Sequence, residues 1–270
     1  MDRSDFSTDA ILLRKVEYGD HDLILTFLTR DRGKICTIAK NAKKSVRRFS
    51  GALDLFSANH IHCTFPKKNR DGLIILTQTS LDNGFVNIRY DVAKTGYACY
   101  WMEIITLWLE EGKPQPALFE LLYSALGMLD RSEVNTAVAG LLFQIRFMSL
   151  SGFSPTLKAC DTCNTGLDQI PAKRVWFDFH EGRVICPACR RNQRFSKGHL
   201  TGPDTGMMVS KGTLKQLDWM NQNDMTRADR MKFSTSAIRE GEILLEWFVP
   251  FHLGRQFKSL GFLQRMRRER

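Results

Sequence analysis

The chain has 270 residues, of which 43% are hydrophobic and 25% charged, which excludes a disordered or low-complexity protein and leaves room for two or three modules of roughly 100–150 residues. Its 39 Lys and Arg against 29 Asp and Glu give a net charge of +10, so attraction to polyanions or to an acidic partner is expected. The longest apolar tract, Tyr97 to Leu109, is cut by Glu103 and falls short of the roughly 18 residues of a membrane span; the polar amino terminus is unlike a secretory signal.

From residue 10 to residue 81, apolar and β-branched residues cluster in five runs: Ala10 to Val16, Leu23 to Thr29, Ile35 to Ala39, Ala58 to Phe65 and Leu73 to Leu81. Runs of this length between turn signals predict strands. Arg30-Asp31-Arg32-Gly33 joins the second run to the third, and a turn at residues 67–72 joins the last two. Five short strands suffice for a small closed barrel; an OB-fold fits best and an SH3-like barrel nearly as well. The segment Lys34 to Leu53, which spans the third strand and the connection after it, contains Lys34, Lys40, Lys43, Lys44, Arg47 and Arg48 and no acidic residue. A solvated loop explains such a run about half the time. The basic hairpin tips at Arg30, Arg32, Lys67, Lys68 and Arg70 favour nucleic acid instead, as do the flanking rings of Phe49 and Phe56.

From Phe85 to Gly152 the period becomes helical. Tyr97, Trp101, Ile104, Ile105 and Trp108 mark a helix apolar on nearly every face, hence central, and further helices run from Leu118 to Leu129 and from Val138 to Met148. Pro155 ends this block. Helical patterns return at Thr213 to Asn221 and Ser236 to Phe248, so residues 82–158 and 201–270 are expected to form one helical domain interrupted by residues 159–200, after an OB-fold domain over residues 1–81.

The interruption carries the most specific signal in the chain. Cys160 and Cys163 are followed, 22 residues on, by Cys186 and Cys189. Two C-x2-C knuckles supply four soft thiolate ligands at tetrahedral angles, which suits one zinc ion in a zinc ribbon. With all four positions filled by protein, no site remains for an activated water, so a structural zinc is expected. Cys36, Cys63 and Cys99 fall in strand and helix patterns as small core residues, and His60 and His62 as neighbours on one strand face. No phosphate-binding loop, nucleophile elbow or zinc-protease helix occurs, so binding rather than catalysis is expected. A second basic cluster, Arg255, Lys258, Arg265, Arg267, Arg268 and Arg270, occupies the carboxyl end.

In order along the chain, Gly19-Asp20-His21-Asp22-Leu23-Ile24-Leu25, Thr29 to Lys34, Phe49-Ser50-Gly51-Ala52-Leu53, Gln144-Ile145-Arg146-Phe147, Leu150-Ser151-Gly152-Phe153-Ser154-Pro155, the four cysteines and His252-Leu253-Gly254-Arg255 resemble the bacterial RecO family of recombination mediators. The resemblance implies an OB-fold, a helical domain interrupted by a zinc ribbon, and a non-enzymatic role in DNA repair in the cytoplasm, at the nucleoid. It implies binding of single- and double-stranded DNA, annealing of complementary strands and, with RecR, loading of RecA onto strands coated by single-strand-binding protein. The family's DNA surface carries over onto Arg30, Arg32, Lys34, Lys40, Lys43, Lys44, Arg47 and Arg48. Arg146 is the candidate charge for the acidic tail of single-strand-binding protein. Two other readings compete: an RNA- or polymerase-associated module of OB-fold and ribbon, and a zinc-containing DNA glycosylase, whose catalytic amino-terminal Pro or Glu this chain lacks.

Overall fold

The structure, a computed structural model, describes residues 5–49, 51–66, 72–196, 205–223 and 233–268. The chain divides into two compact units, Met1–Arg131 with Gly261–Arg270, and Ser132–Leu260.

The first unit opens with strands β1 (Asp5–Tyr18), β2 (Asp22–Thr29) and β3 (Gly33–Ala39), a short helix α1 (Val46–Phe49), and strands β4 (Ala58–Thr64) and β5 (Ile74–Asn83). They close into a barrel in the order β1-β2-β3-β5-β4, antiparallel throughout except between β3 and β5. Parallel neighbours need a crossover rather than a tight turn, and here α1 and β4 supply it, as in an OB-fold and not in an SH3-like barrel. Alternate residues point inward: Leu23, Leu25 and Phe27 from β2 and Ile35 and Ala39 from β3 pack with Ile61, Cys63 and Leu76. Phe49 and Leu53 from the connecting loop complete this core.

Gly33 begins β3 at φ +69°, and a Cβ there would overlap the Lys113 carbonyl. Because both the backbone conformation and the space exclude a side chain, Gly33→Ala should destabilise the barrel unit by more than about 2 kcal/mol. Chemical denaturation measures it, and a loss below about 0.5 kcal/mol, the range of ordinary surface substitutions, would mean that the hairpin relaxes freely.

Three helices follow in this unit: α2 (Val86–Arg89), α3 (Val92–Trp108) and α4 (Pro116–Arg131). The Asp91 carboxylate caps α3 by accepting from the backbone N–H groups of Ala93 and Lys94. Tyr97, Tyr100, Trp101, Ile104 and Ile105 are all buried, so α3 is central, as its all-round apolar pattern predicts. Pro116 occupies the first position of α4, where no helical N–H is needed.

The second unit contains α5 (Thr136–Leu150), β6 (Thr156–Cys160), β7 (Arg174–Asp178), β8 (Arg183–Ile185), α6 (Pro187–Ser196), β9 (Gly206–Ser210), α7 (Lys211–Gln222) and α8 (Thr235–Leu253). The strands form one sheet in the order β6-β8-β7-β9. α5, α7 and α8 pack on one another. The sheet is tied to α8 by Phe177 against Phe248 at 5.8 Å and Phe179 stacked on Trp247 at 6.1 Å. Glu240 of α8 accepts from the Ser210 N–H and the Thr213 hydroxyl and pairs with Arg174 at 2.7 Å, joining β9, α7 and β7. From Gly261 onward, the last helix α9 (Lys258–Arg268) belongs to the first unit.

Candidate metal centre and nucleic-acid interface

Cys160 ends β6, and Cys163 lies within the turn that the Asn164 N–H closes by donating to the Cys160 carbonyl at 2.8 Å. β8 delivers Cys186, and Cys189 lies in the first turn of α6. β6 runs parallel to β8, and Arg183 of β8 pairs with Asp161 in the first knuckle at 2.9 Å, so the sheet holds the two knuckles against each other. All four sulfurs lie within 4.8 Å of one another, and Cys163 Sγ is 3.9 Å from Cys186 Sγ. A tetrahedral ion with metal–sulfur bonds of about 2.3 Å needs sulfurs about 3.8 Å apart. The donor set therefore fits a metal ion. Backbone N–H groups of Cys186 and Cys189 point at the sulfurs of Cys160 and Cys186, which stabilises charge on them. Thr165, hydrogen-bonded to Cys163, draws that exposed thiol down to about 6. His180 packs on Phe251 and is not among the clustered ligands.

Of the remaining cysteines, Cys63 is buried in the barrel core and Cys36 and Cys99 are half-buried. Burial pushes the Cys63 thiol up to about 12 and raises Cys36 and Cys99 as well, which keeps them protonated and unreactive at neutral pH. His60 pairs with Asp9 at 2.9 Å and His62 with the Ser7 hydroxyl at 2.7 Å.

The eight basic residues of the barrel fall into distinct environments. Arg30 pairs with Asp9 and Glu120 and lies over the Phe119 ring. Lys34 donates to the Thr106 carbonyl of α3 at 2.7 Å. Lys43 pairs with Glu17 at 2.8 Å, and its ammonium holds that carboxyl below its ordinary range. Arg48 donates to the Ser45 hydroxyl and the Lys40 carbonyl, which shapes the loop around α1. Arg32 is exposed and lies 4.0 Å over the Phe6 ring. Lys40, Lys44 and Arg47 are exposed, and among the described residues none has a side-chain partner. The run thus presents three solvated cations on a loop braced by Arg48 and Lys43. Beside it lies a cavity of about 290 Å³ lined by Lys15, Glu17, Lys43, Phe49, Leu53 and Asp54.

Phe49 and Phe56, which the sequence leaves open as core rings or stacking platforms, are 5% and 2% exposed and so are core residues: the loop folds back to cover the barrel end. Lys67, Lys68 and Arg70 lie outside the described residues, as does Arg270. Arg146 on α5 is half-buried and donates through Nε to the Met220 carbonyl near the end of α7 at 3.0 Å. The partners of Lys43, Lys34, Arg146 and Arg30 at Glu17, Thr106, Met220 and Glu120 lie 26 to 90 positions away in sequence, so no local signal marks them.

Fold and site together define an OB-fold protein with a second, helical unit built around a four-cysteine centre. No described helix is long and apolar enough to cross a membrane. Residues 1–85 match the family described as Recombination protein O N terminal, and residues 89–261 the one described as Recombination protein O C terminal; the chain belongs to the RecO family. It is 42% identical over 262 residues to a DNA repair protein RecO of Desulfatibacillum aliphaticivorans, covering 97% of both chains. Proteins of the same name from Desulfosudis oleivorans and Syntrophus aciditrophicus are 38% and 32% identical, with at least 97% of each chain covered.

Proposed function

We propose that this chain is a DNA repair and recombination mediator that acts by binding strands and not by catalysis. The observation that carries the reading is membership of the RecO family over nearly the whole length, joined to an OB barrel whose longest loop offers unpaired cations at Lys40, Lys44 and Arg47. In this reading the loop and Arg32 meet the phosphates of single- and double-stranded DNA. Arg30, Lys34, Lys43 and Arg48 chiefly fix the shape of that surface. One structural zinc ion is held by Cys160, Cys163, Cys186 and Cys189; as a closed thiolate site it supplies folding energy, not chemistry. RecR, RecA and the acidic tail of single-strand-binding protein are the proposed protein partners, with Arg146 near the tail's contact, and the site of action is the cytoplasmic nucleoid.

The test is annealing. Complementary strands precoated with single-strand-binding protein should pair at least about tenfold faster with this protein present, since a basic surface that holds two strands raises their effective concentration. An unchanged rate, or tighter binding to RNA than to single-stranded DNA of the same sequence, would overturn the reading.

A further inference from the structure

We infer that the metal-bearing unit carries a second contact for single-stranded DNA: a base-stacking slot beside the metal centre, between β7, β9 and α6. The inference rests on the reading of the chain as a DNA-binding protein and extends it to a surface in the other unit.

The slot is a cavity of about 180 Å³ lined by Trp176, Pro187, Arg190, Arg191 and Met208. The Arg190 guanidinium lies over the indole of Trp176, 3.5 Å from its ring centroid, and donates to Met208 Sδ at 3.4 Å. A guanidinium fixed in this way presents a planar, delocalised cation, which a nucleobase can stack on as it does on an aromatic ring. Pro187 and Met208 offer apolar contact to the base edges. Arg191 is exposed, without an ion-pair partner among the described residues, and stands next in sequence to meet the adjoining phosphate.

Charge selects the same ligand. Around the slot, Arg174 is committed to Glu240 and Arg183 to Asp161. α6 itself carries three arginines and no acidic residue. An acidic peptide would want the edges of a guanidinium, because carboxylates are recognised bidentately through N–H groups. Here an edge of Arg190 is turned to a thioether and the planar group is stacked on a ring, an arrangement that suits a ligand with a π-face and a phosphate. Cys186 and Cys189 bracket Pro187, and Cys189 immediately precedes Arg190, so an ion bound by the four cysteines would fix the first turn of α6 and with it both arginines.

The test uses the full chain and a single strand bearing 5-iododeoxyuridine, irradiated and mapped by mass spectrometry, with salt titrations alongside. Crosslinks are expected on Trp176, in the tryptic peptide of residues 175–183. Arg190→Ala with Arg191→Ala should lower the log affinity against log salt slope by about 0.7, the one phosphate contact made by Arg191, and abolish the crosslink, with metal content unchanged. Arg190→Lys should keep the slope and lose the crosslink, since charge remains while the stacking plane is gone. Should the double variant lose metal, Arg191→Ala alone should lower the slope by about 0.7. If wild type binds strands and its slope responds only to the barrel loop, or if no crosslink maps to residues 175–183, the second contact is absent and the broader reading stands. Tighter binding of an acidic peptide than of DNA through Arg190 and Arg191 also overturns it. If wild type binds no single strand at all, both fall.

Discussion

Changing Cys160 and Cys189 together to alanine should strip the chain of zinc and melt its second unit well before its first. Two thiolates cannot hold an ion that would need all four, whose sulfurs lie within 4.8 Å of one another. Because a structural site is assembled only in the folded state, its binding energy is folding energy, about 10–16 kcal/mol in isolated zinc-finger peptides. Here Phe177 and Phe179 also pack on α8 through rings that involve none of the cysteines, so the loss should be smaller. A cost of about 3–5 kcal/mol would lower that unit's thermal midpoint by roughly 10–20 °C. Protease should reach residues 159–196 first, while the barrel, whose core contains none of these cysteines, keeps its transition. Protons compete with metal for thiolate, so zinc should be retained at neutral pH and released as pH falls. Metal analysis decides the matter: full zinc in the double variant, or none in wild type, would remove the site.

The second large effect is electrostatic. Changing Lys40, Lys44 and Arg47 together to alanine should lower the slope of log affinity for single-stranded DNA against log salt by about 2, at roughly 0.7 per neutralised phosphate. Lys43 behaves differently, because Glu17 already neutralises it. Glu17→Gln should free that ammonium for phosphate and raise the slope by about 0.7. Preference among sequences should not change, because such contacts position the backbone without reading bases. Stability should move by no more than about 0.5 kcal/mol, as the three residues are exposed and unpaired. A well-folded triple variant with an unchanged slope would place the DNA surface elsewhere than this loop.

The parts of the molecule that are legible in the sequence are those with local signatures. β2 and β3 alternate inward and outward over their whole length, and the spacing of the two cysteine pairs alone announces metal knuckles. β1 starts at Asp5 and not at Ala10, because its opening residues alternate Phe6 and Thr8 with Asp5, Ser7 and Asp9, too polar to read as a strand until β4 lies beside it. β9 is equally hidden. Its five residues are a strand only because they pair with β7, some thirty positions earlier. The basic run can be seen in the sequence, but not which of its members are free. That depends on Glu17, Asp9 and Glu120, carboxylates brought in by the fold.

Residues 261–268 fill the face of α3 that the barrel unit leaves open: Leu263 is fully buried, its Cδ2 is 2.7 Å from where a Cβ on Gly96 would stand, and the Arg267 guanidinium lies over the Tyr97 ring. A ribosome makes these residues well over a hundred positions after α3. The nascent barrel unit must therefore wait, with an apolar helix face uncovered, while all of the four-cysteine unit is synthesised. Ser132–Leu260 is contiguous and can close on itself as it emerges. Vectorial synthesis thus sets an order in which the first unit to be started is the last to be finished.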